Sequence, residues 1–201
     1  MRKFKKAIIC ACVLPLLAII RLLNPLITIK FCNIPSIVIG HFAFDPEYHL
    51  TEQKLNVKSA KELILYYLDI DYVTANIYWE KMVKRNLPVS SLFWYLAYVN
   101  KLFKGWERHH YESAAYKYST ADVDEIFHRT SASIRFTENE NEIGKDFLAG
   151  IGLAEGDKFI CLQVRDSKFD SLYKNNLYKS KLYFGYDRVK YLEYRNADIE
   201  N

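Results

Sequence analysis

The apolar positions of this chain fall into one long block and several short or helically spaced ones. Residues 7–20 form the long block, preceded by Arg2, Lys3, Lys5 and Lys6 and followed, past Arg21, by a second apolar piece at 22–29. Basic residues ahead of an apolar run are the charge pattern of a signal peptide or signal anchor, and no small-x-small cleavage site follows. A membrane span needs about 20 apolar residues. Here Arg21 falls inside the window, at about 2.5–3.5 kcal/mol for mid-bilayer burial, and Pro15 and Pro25 interrupt the helix. Residues 1–30 therefore read as a membrane-associating segment, either a signal anchor or a helix lying in the interface. A core helix of the fold is the third reading.

The pattern then shortens. Residues 34–39 (IPSIVI) read as a first strand, ending at Gly40-His41, with a loop over 42–49 punctuated by Asp45-Pro46. Residues 63–68 read as a second apolar strand. Ile77, Met82 and Val83 sit at helical spacing, with Asn76 as cap and Pro88 beyond the end. Residues 92–103 are apolar almost all round, predicting a buried helix that closes at Gly105. The order strand, loop, strand, helix, helix predicts an α/β layer domain over 31–136. Its last part, 106–136, mixes polar and aromatic residues without a period and reads as a connector.

A second domain is expected from residue 137. Thr137 with Glu140 makes a capping box, and Ile143, Phe147, Leu148 and Ile151 give the following helix an apolar face, with Gly150 and Gly152 as stops. Residues 159–164 then form a short apolar run broken only by Gln163. It reads as a strand buried on both faces of a parallel sheet and left through Arg165-Asp166-Ser167. Open parallel sheets bind ligands at the carboxyl ends of their strands, where Arg165 stands. Residues 173–195 interleave six tyrosines with six Lys or Arg residues, which reads first as a surface loop, second as a lid over a nucleotide or sugar and third as a single-stranded RNA contact. A helix is expected to begin with Asn196 or Asp198 as its cap. One buried strand leaves its edges unsatisfied, so 137–201 is expected to be the start of a domain, truncated or completed by a partner chain.

Charge narrows the partners. The chain has 28 Lys and Arg against 24 Asp and Glu, and the surplus of four equals Arg2, Lys3, Lys5 and Lys6. The body is neutral, which argues against a nucleic-acid face. Four cysteines in 201 residues form no disulfide framework or metal knuckle and read as small apolar residues in a reducing compartment. Asp69-Ile-Asp71 could hold a divalent ion beside a diphosphate, although aspartates also end strands and cap helices. Asp122-Val-Asp124 reads as turn and cap chemistry. His109-His110 point apart on any regular element. No phosphate-binding loop, dinucleotide fingerprint or nucleophile elbow is present.

Three stretches, IVIGHFAFDPEYHL (37–50), FICLQVRDS (159–167) and YRNADIEN (194–201), together resemble a family of bacterial glycosyltransferases linked to surface-carbohydrate loci. That family is distantly similar to fucosyltransferase-like enzymes built of two facing Rossmann-like domains. The resemblance implies a Rossmann-like first domain and the start of a second, nucleotide-sugar-binding one. It implies transfer of a sugar from a nucleotide-sugar donor to a surface-polysaccharide or lipid-linked acceptor at the cytoplasmic face of the inner membrane, with neither metal nor cofactor. By position, Arg165 would bind the donor diphosphate and Asp166 would order that loop or a sugar hydroxyl, with Arg195 and Asn196 in support. Gly40 and His41 would line the acceptor site, His41 as the base. Gln163 departs from the pattern by standing where the fucosyltransferase-like enzymes have a histidine. A non-catalytic, membrane-attached carbohydrate-binding or assembly protein is the alternative, as is an inactive truncated enzyme.

Overall fold

The computed structural model describes residues 2–55, 61–70, 74–118 and 121–160. The chain divides into two compact units, Met1–Thr137 and Glu138–Asn201. The first is mixed α/β, as its patterning predicts, around a three-stranded, wholly parallel sheet.

The sheet begins earlier than expected. β1 is Thr28–Ile34, and β2, Glu62–Leu68, falls where the apolar run predicts a strand. They pair in parallel register from Thr28 opposite Glu62 to Ile34 opposite Leu68. The predicted strand at 34–39 fails at Pro35, which has no N–H for a ladder. The true strand was masked by Lys30 and Asn33, which interrupt its apolar pattern; Lys30 Nζ donates across to Glu62 Oε1 at 2.7 Å. β3, His110–Tyr111, adds to the other edge of β1 with Phe31 opposite His110, so the order is β2-β1-β3. A single parallel bridge, Tyr66 to Val89, extends the β2 edge.

Alternation along the strands then divides the core into two layers. Ile29, Phe31 and Tyr67 pack with Val13, Leu17 and Ile20 of α1 (Arg2–Leu22) and Leu96, Ala97 and Val99 of α4 (Ser91–Asn100). Cys32, Ile34, Ile64 and Tyr66 face the other way, toward Phe42 of α2 (Ile39–Lys54) and Met82 and Val83 of α3 (Ile77–Asn86). Helices thus cover both faces. Asn76 caps α3 as predicted, its Oδ1 accepting from Trp79 N at 2.9 Å, and Ser90 caps α4. α4 ends at Asn100 and buries only Leu96, Ala97, Val99 and Asn100, so it is one-sided rather than apolar-packed all round.

Three further expectations are corrected. α1 runs through Pro15 without ending. The connector region contains the 3-10 turn Trp106–His109, β3, α5 (Ala114–Lys117) and the 3-10 turn Phe127–Arg129. The loop expected over 42–49 is helix α2, with Pro46 inside it. Pro46 cannot donate to the Phe42 carbonyl one turn back, which is the usual reason a helix breaks there. Trp79 supplies the missing donor: its Nε1 reaches Phe42 O at 2.8 Å.

The second unit contributes α6 (Glu138–Gly150), directly after Thr137. It closes with Gly152 at φ +88 and the bonds Gly152 N to Ala149 O and Leu153 N to Leu148 O. That is a Schellman stop at the predicted glycine pair. Of the buried strand expected at 159–164, Phe159 and Ile160 are described and are exposed, outside any strand; its remainder and the helix expected after Asn196 lie outside the described residues.

Trp79→Phe should leave the Phe42 carbonyl buried without its donor and cost about 1–3 kcal/mol, read by urea denaturation. In a Pro46→Ala background residue 46 regains its N–H and the same change should cost measurably less. Equal losses in both backgrounds would refute the indole's role.

Candidate functional site

α2 meets its surroundings on three sides. Its first turn carries Gly40 and His41, which the sequence expected at a strand end; they lie in a helix instead. Val38 occupies the N-cap position without a side-chain cap bond. His41 is half-buried, and its ring centroid lies 6.1 Å from that of Tyr116 on α5. α2 leads from β1 to β2 while β3 joins the opposite edge of β1, so the chain's connections diverge at β1. Open α/β sheets bind ligands at such a point.

The turn from β1 into α2 is held by Asp69, just past the end of β2. Asp69 Oδ2 accepts from Ser36 N at 2.8 Å and Asp69 Oδ1 from Asn33 Nδ2 at 3.1 Å. Burial raises its pKa, against the Ser36 bonds, which lower it. This half of the Asp-x-Asp pair is therefore occupied as a backbone clamp, and Asp71 lies outside the described residues. Beside it opens a cleft of about 410 Å³ lined by Leu68, Asp69, Thr74, Glu80, Lys84 and Ser90, among others. Lys84 donates to Glu80 Oε1 at 2.5 Å and Thr74 Oγ1 to Glu80 Oε2 at 2.9 Å. Burial works against the Glu80 carboxylate, but these bonds hold its pKa below the usual value. Gly40 and His41 do not line this cleft.

The other two candidate pairs do structural work. His109 turns inward, its Nδ1 2.7 Å from Ile29 O, while His110 is exposed on β3; burial and then Lys101 lower the pKa of His110. Asp122 accepts from Ile126 N and Phe127 N, as turn chemistry predicts. Asp124 accepts from Tyr48 OH at 3.1 Å.

Sequence reading missed the polar face of α2. Asp45, His49 and Glu52 sit at i, i+4 and i+7, one helical stripe, turned against the sheet. Cys32 Sγ lies 3.5 Å from His49 Nε2, and Asp45 Oδ2 lies 3.6 Å from the same nitrogen. Glu52 Oε2 faces the other ring nitrogen at 3.3 Å and accepts from Tyr111 OH at 3.1 Å. Asp45 Oδ1 accepts from Ser113 Oγ and Ala115 N, both at 2.8 Å. Cys32, Asp45 and His49 are fully buried. Burial alone would push the imidazole down; the Cys32 sulfur, Asp45 and Glu52 reverse this and hold it well above its ordinary value. Burial raises the Tyr66 and Tyr111 phenols beside them. The i, i+4, i+7 spacing is the signal for this stripe, and the turn signal of Asp45-Pro46 obscures it.

Arg165, Asp166, Arg195 and Asn196 lie outside the described residues. No family model, curated protein or solved structure matches the chain.

Asp69→Ala should leave the buried Ser36 N–H without its acceptor and cost about 1–3 kcal/mol. The check is the urea midpoint at unchanged slope; a shift within the few tenths typical of surface sites would refute the clamp.

Proposed function

We propose that the chain is a glycosyltransferase-like protein, its first unit a Rossmann-like acceptor-side domain and its second the beginning of a nucleotide-sugar-binding one. One observation carries the reading: the parallel order β2-β1-β3, with Gly40 and His41 following β1 where ligands of open α/β sheets bind. In the reaction an acceptor hydroxyl attacks the anomeric carbon of the donor. The bond from that carbon to the diphosphate breaks, the diphosphate leaves with the electron pair, and His41 takes the hydroxyl proton. Arg165, supported by Asp166, Arg195 and Asn196, offsets the charge growing on the diphosphate, because a fixed guanidinium needs no reorganisation at that moment. Neither a metal nor a cofactor takes part in this step.

Attachment to the cytoplasmic face of a membrane fits a lipid-linked acceptor. Among the described residues no helix is long and apolar enough to cross a membrane, so the attachment proposed is interfacial. α1 packs Val13, Leu17 and Ile20 inward, while Leu16, Ile19 and Leu22 stay exposed beyond the basic residues at its start. An exposed apolar face that follows basic residues in the sequence suits an interfacial helix.

Titration with nucleotide-sugars tests the donor site. If Arg165 grips the diphosphate through both nitrogens, Arg165→Lys should weaken binding nearly as much as Arg165→Ala, since the fork is lost while the charge remains. Unchanged affinity in both variants, with unchanged melting, would remove the donor role. Release of nucleoside diphosphate that survives His41→Ala would remove His41 as the base.

Flotation with anionic lipid vesicles tests the attachment. Leu16→Glu together with Ile19→Glu should abolish binding while Tm hardly moves, both side chains being on the surface. Equal binding by wild type and variant would rule out this face.

A further inference from the structure

We propose that Cys32, Asp45 and His49 form a buried, three-residue structural site for a borderline divalent metal ion, zinc in the first instance. The Cys32 Sγ, Asp45 Oδ2 and His49 Nε2 atoms lie within 4.8 Å of one another. A tetrahedral zinc ion has Zn–S of about 2.3 Å and Zn–N or Zn–O of about 2.0–2.2 Å, which separates neighbouring donors by roughly 3.3–3.6 Å. The two distances to His49 Nε2, 3.5 Å from the sulfur and 3.6 Å from the carboxylate oxygen, have that size. Mixed sulfur, nitrogen and oxygen donors in this geometry favour zinc over magnesium or calcium, which take oxygen alone.

Two further observations point to a ligand. Asp45 Oδ2 is buried without a hydrogen bond of ordinary length, facing His49 Nε2 at 3.6 Å, although its sister oxygen accepts two. A carboxylate held rigidly by one oxygen, with the other aimed at a thiol and an imidazole, is arranged as a ligating carboxylate is. Around it stands the outer shell that metal-binding histidines use. Glu52 faces His49 Nδ1, the nitrogen away from the site, and Tyr111 OH in turn donates to Glu52. With Nδ1–H given to Glu52, the neutral ring would present the Nε2 lone pair inward. Within the ligand set a thiolate and a carboxylate balance the dication in a place where net charge is costly, with the Glu52 carboxylate one shell further out, between His49 and Tyr111. On binding, the Cys32 thiol proton and any second imidazole proton go to solvent.

The helix and the sheet each contribute. Asp45 and His49 are one turn apart on α2, while Cys32 comes from β1, so the ion would fasten the helix to the strand beneath it. All three donors are fully buried, which makes the site structural and not one that turns over substrate. A fourth position is left to a non-protein ligand.

The test uses the full chain with Cys10, Cys12 and Cys161 replaced by Ser, which leaves Cys32 as its sole thiol. Chelated and then reloaded, this protein should bind one zinc per chain and melt at a higher temperature with zinc than without. Its cobalt form should show a thiolate-to-cobalt charge-transfer band, lost in Cys32→Ala. Glu52→Gln, at a positioning residue, should weaken zinc binding about 10–100-fold, read by direct zinc titration so that any change in the melting of the metal-free form is counted separately. Should Cys32→Ala fail to fold, X-ray absorption of the zinc-loaded sole-thiol chain decides. One sulfur at about 2.3 Å supports the site, and a shell of nitrogen and oxygen only overturns it. Failure to retain zinc, or a charge-transfer band that survives Cys32→Ala, also overturns it.

Discussion

Ionisable groups buried on a helix face destabilise a fold unless each finds a partner, and α2 buries three against the sheet. The first unit is arranged around supplying those partners. β1 brings Cys32 beneath His49, β3 brings the Tyr111 hydroxyl to Glu52, and the segment entering α5 brings the Ser113 hydroxyl and the Ala115 amide to Asp45. β3 is only two residues long, yet one of them is the tyrosine this network needs. The remaining sides of α2 are fitted as closely. Glu47 takes the amides of Ser133 and Ile134, while Phe44 and Tyr48 pack with Phe127.

Legibility in the sequence followed from whether an element's reasons were local. β2 and α3 carry their own signals, an apolar run and a capped helical stripe, and both lie where those signals put them. β1 does not. Its polar residues are explained only by partners elsewhere, Lys30 by Glu62 and Asn33 by Asp69. α2 is the sharper case. Asp45-Pro46 is a turn signal on any local criterion, and what overrides it is an indole 37 positions away. Once that helix is lost from the reading, Asp45, His49 and Glu52 no longer share a face, and the polar cluster disappears with it.

The same dependence on distant partners applies to α1. Read alone, Arg21 is a charge stranded in an apolar window. In the fold it donates to Asn100 Oδ1 at 2.7 Å and to the Lys104 carbonyl at 2.6 Å. Its guanidinium also lies over the Phe103 ring, 5.7 Å from the centroid. The arginine is thus the tie between the end of α1 and the turn after α4. The apolar stripe before it serves the core on one side and leaves the other side uncovered.

The two edges of β1 differ in when they can form. The contact between Lys30 and Glu62 on one edge closes 32 residues of chain, whereas that between Ile29 and His109 on the other closes 80. Loop closure grows costlier with length, though slowly, and distant pairings come late in folding. The β1–α2–β2 unit can therefore assemble while Tyr111 and Ser113 are still away, with the polar face of α2 only half provided for. On that order β3 would complete the partners of a helix already in position. Its two-residue ladder makes it the first edge to open again, and local unfolding of the sheet should begin there.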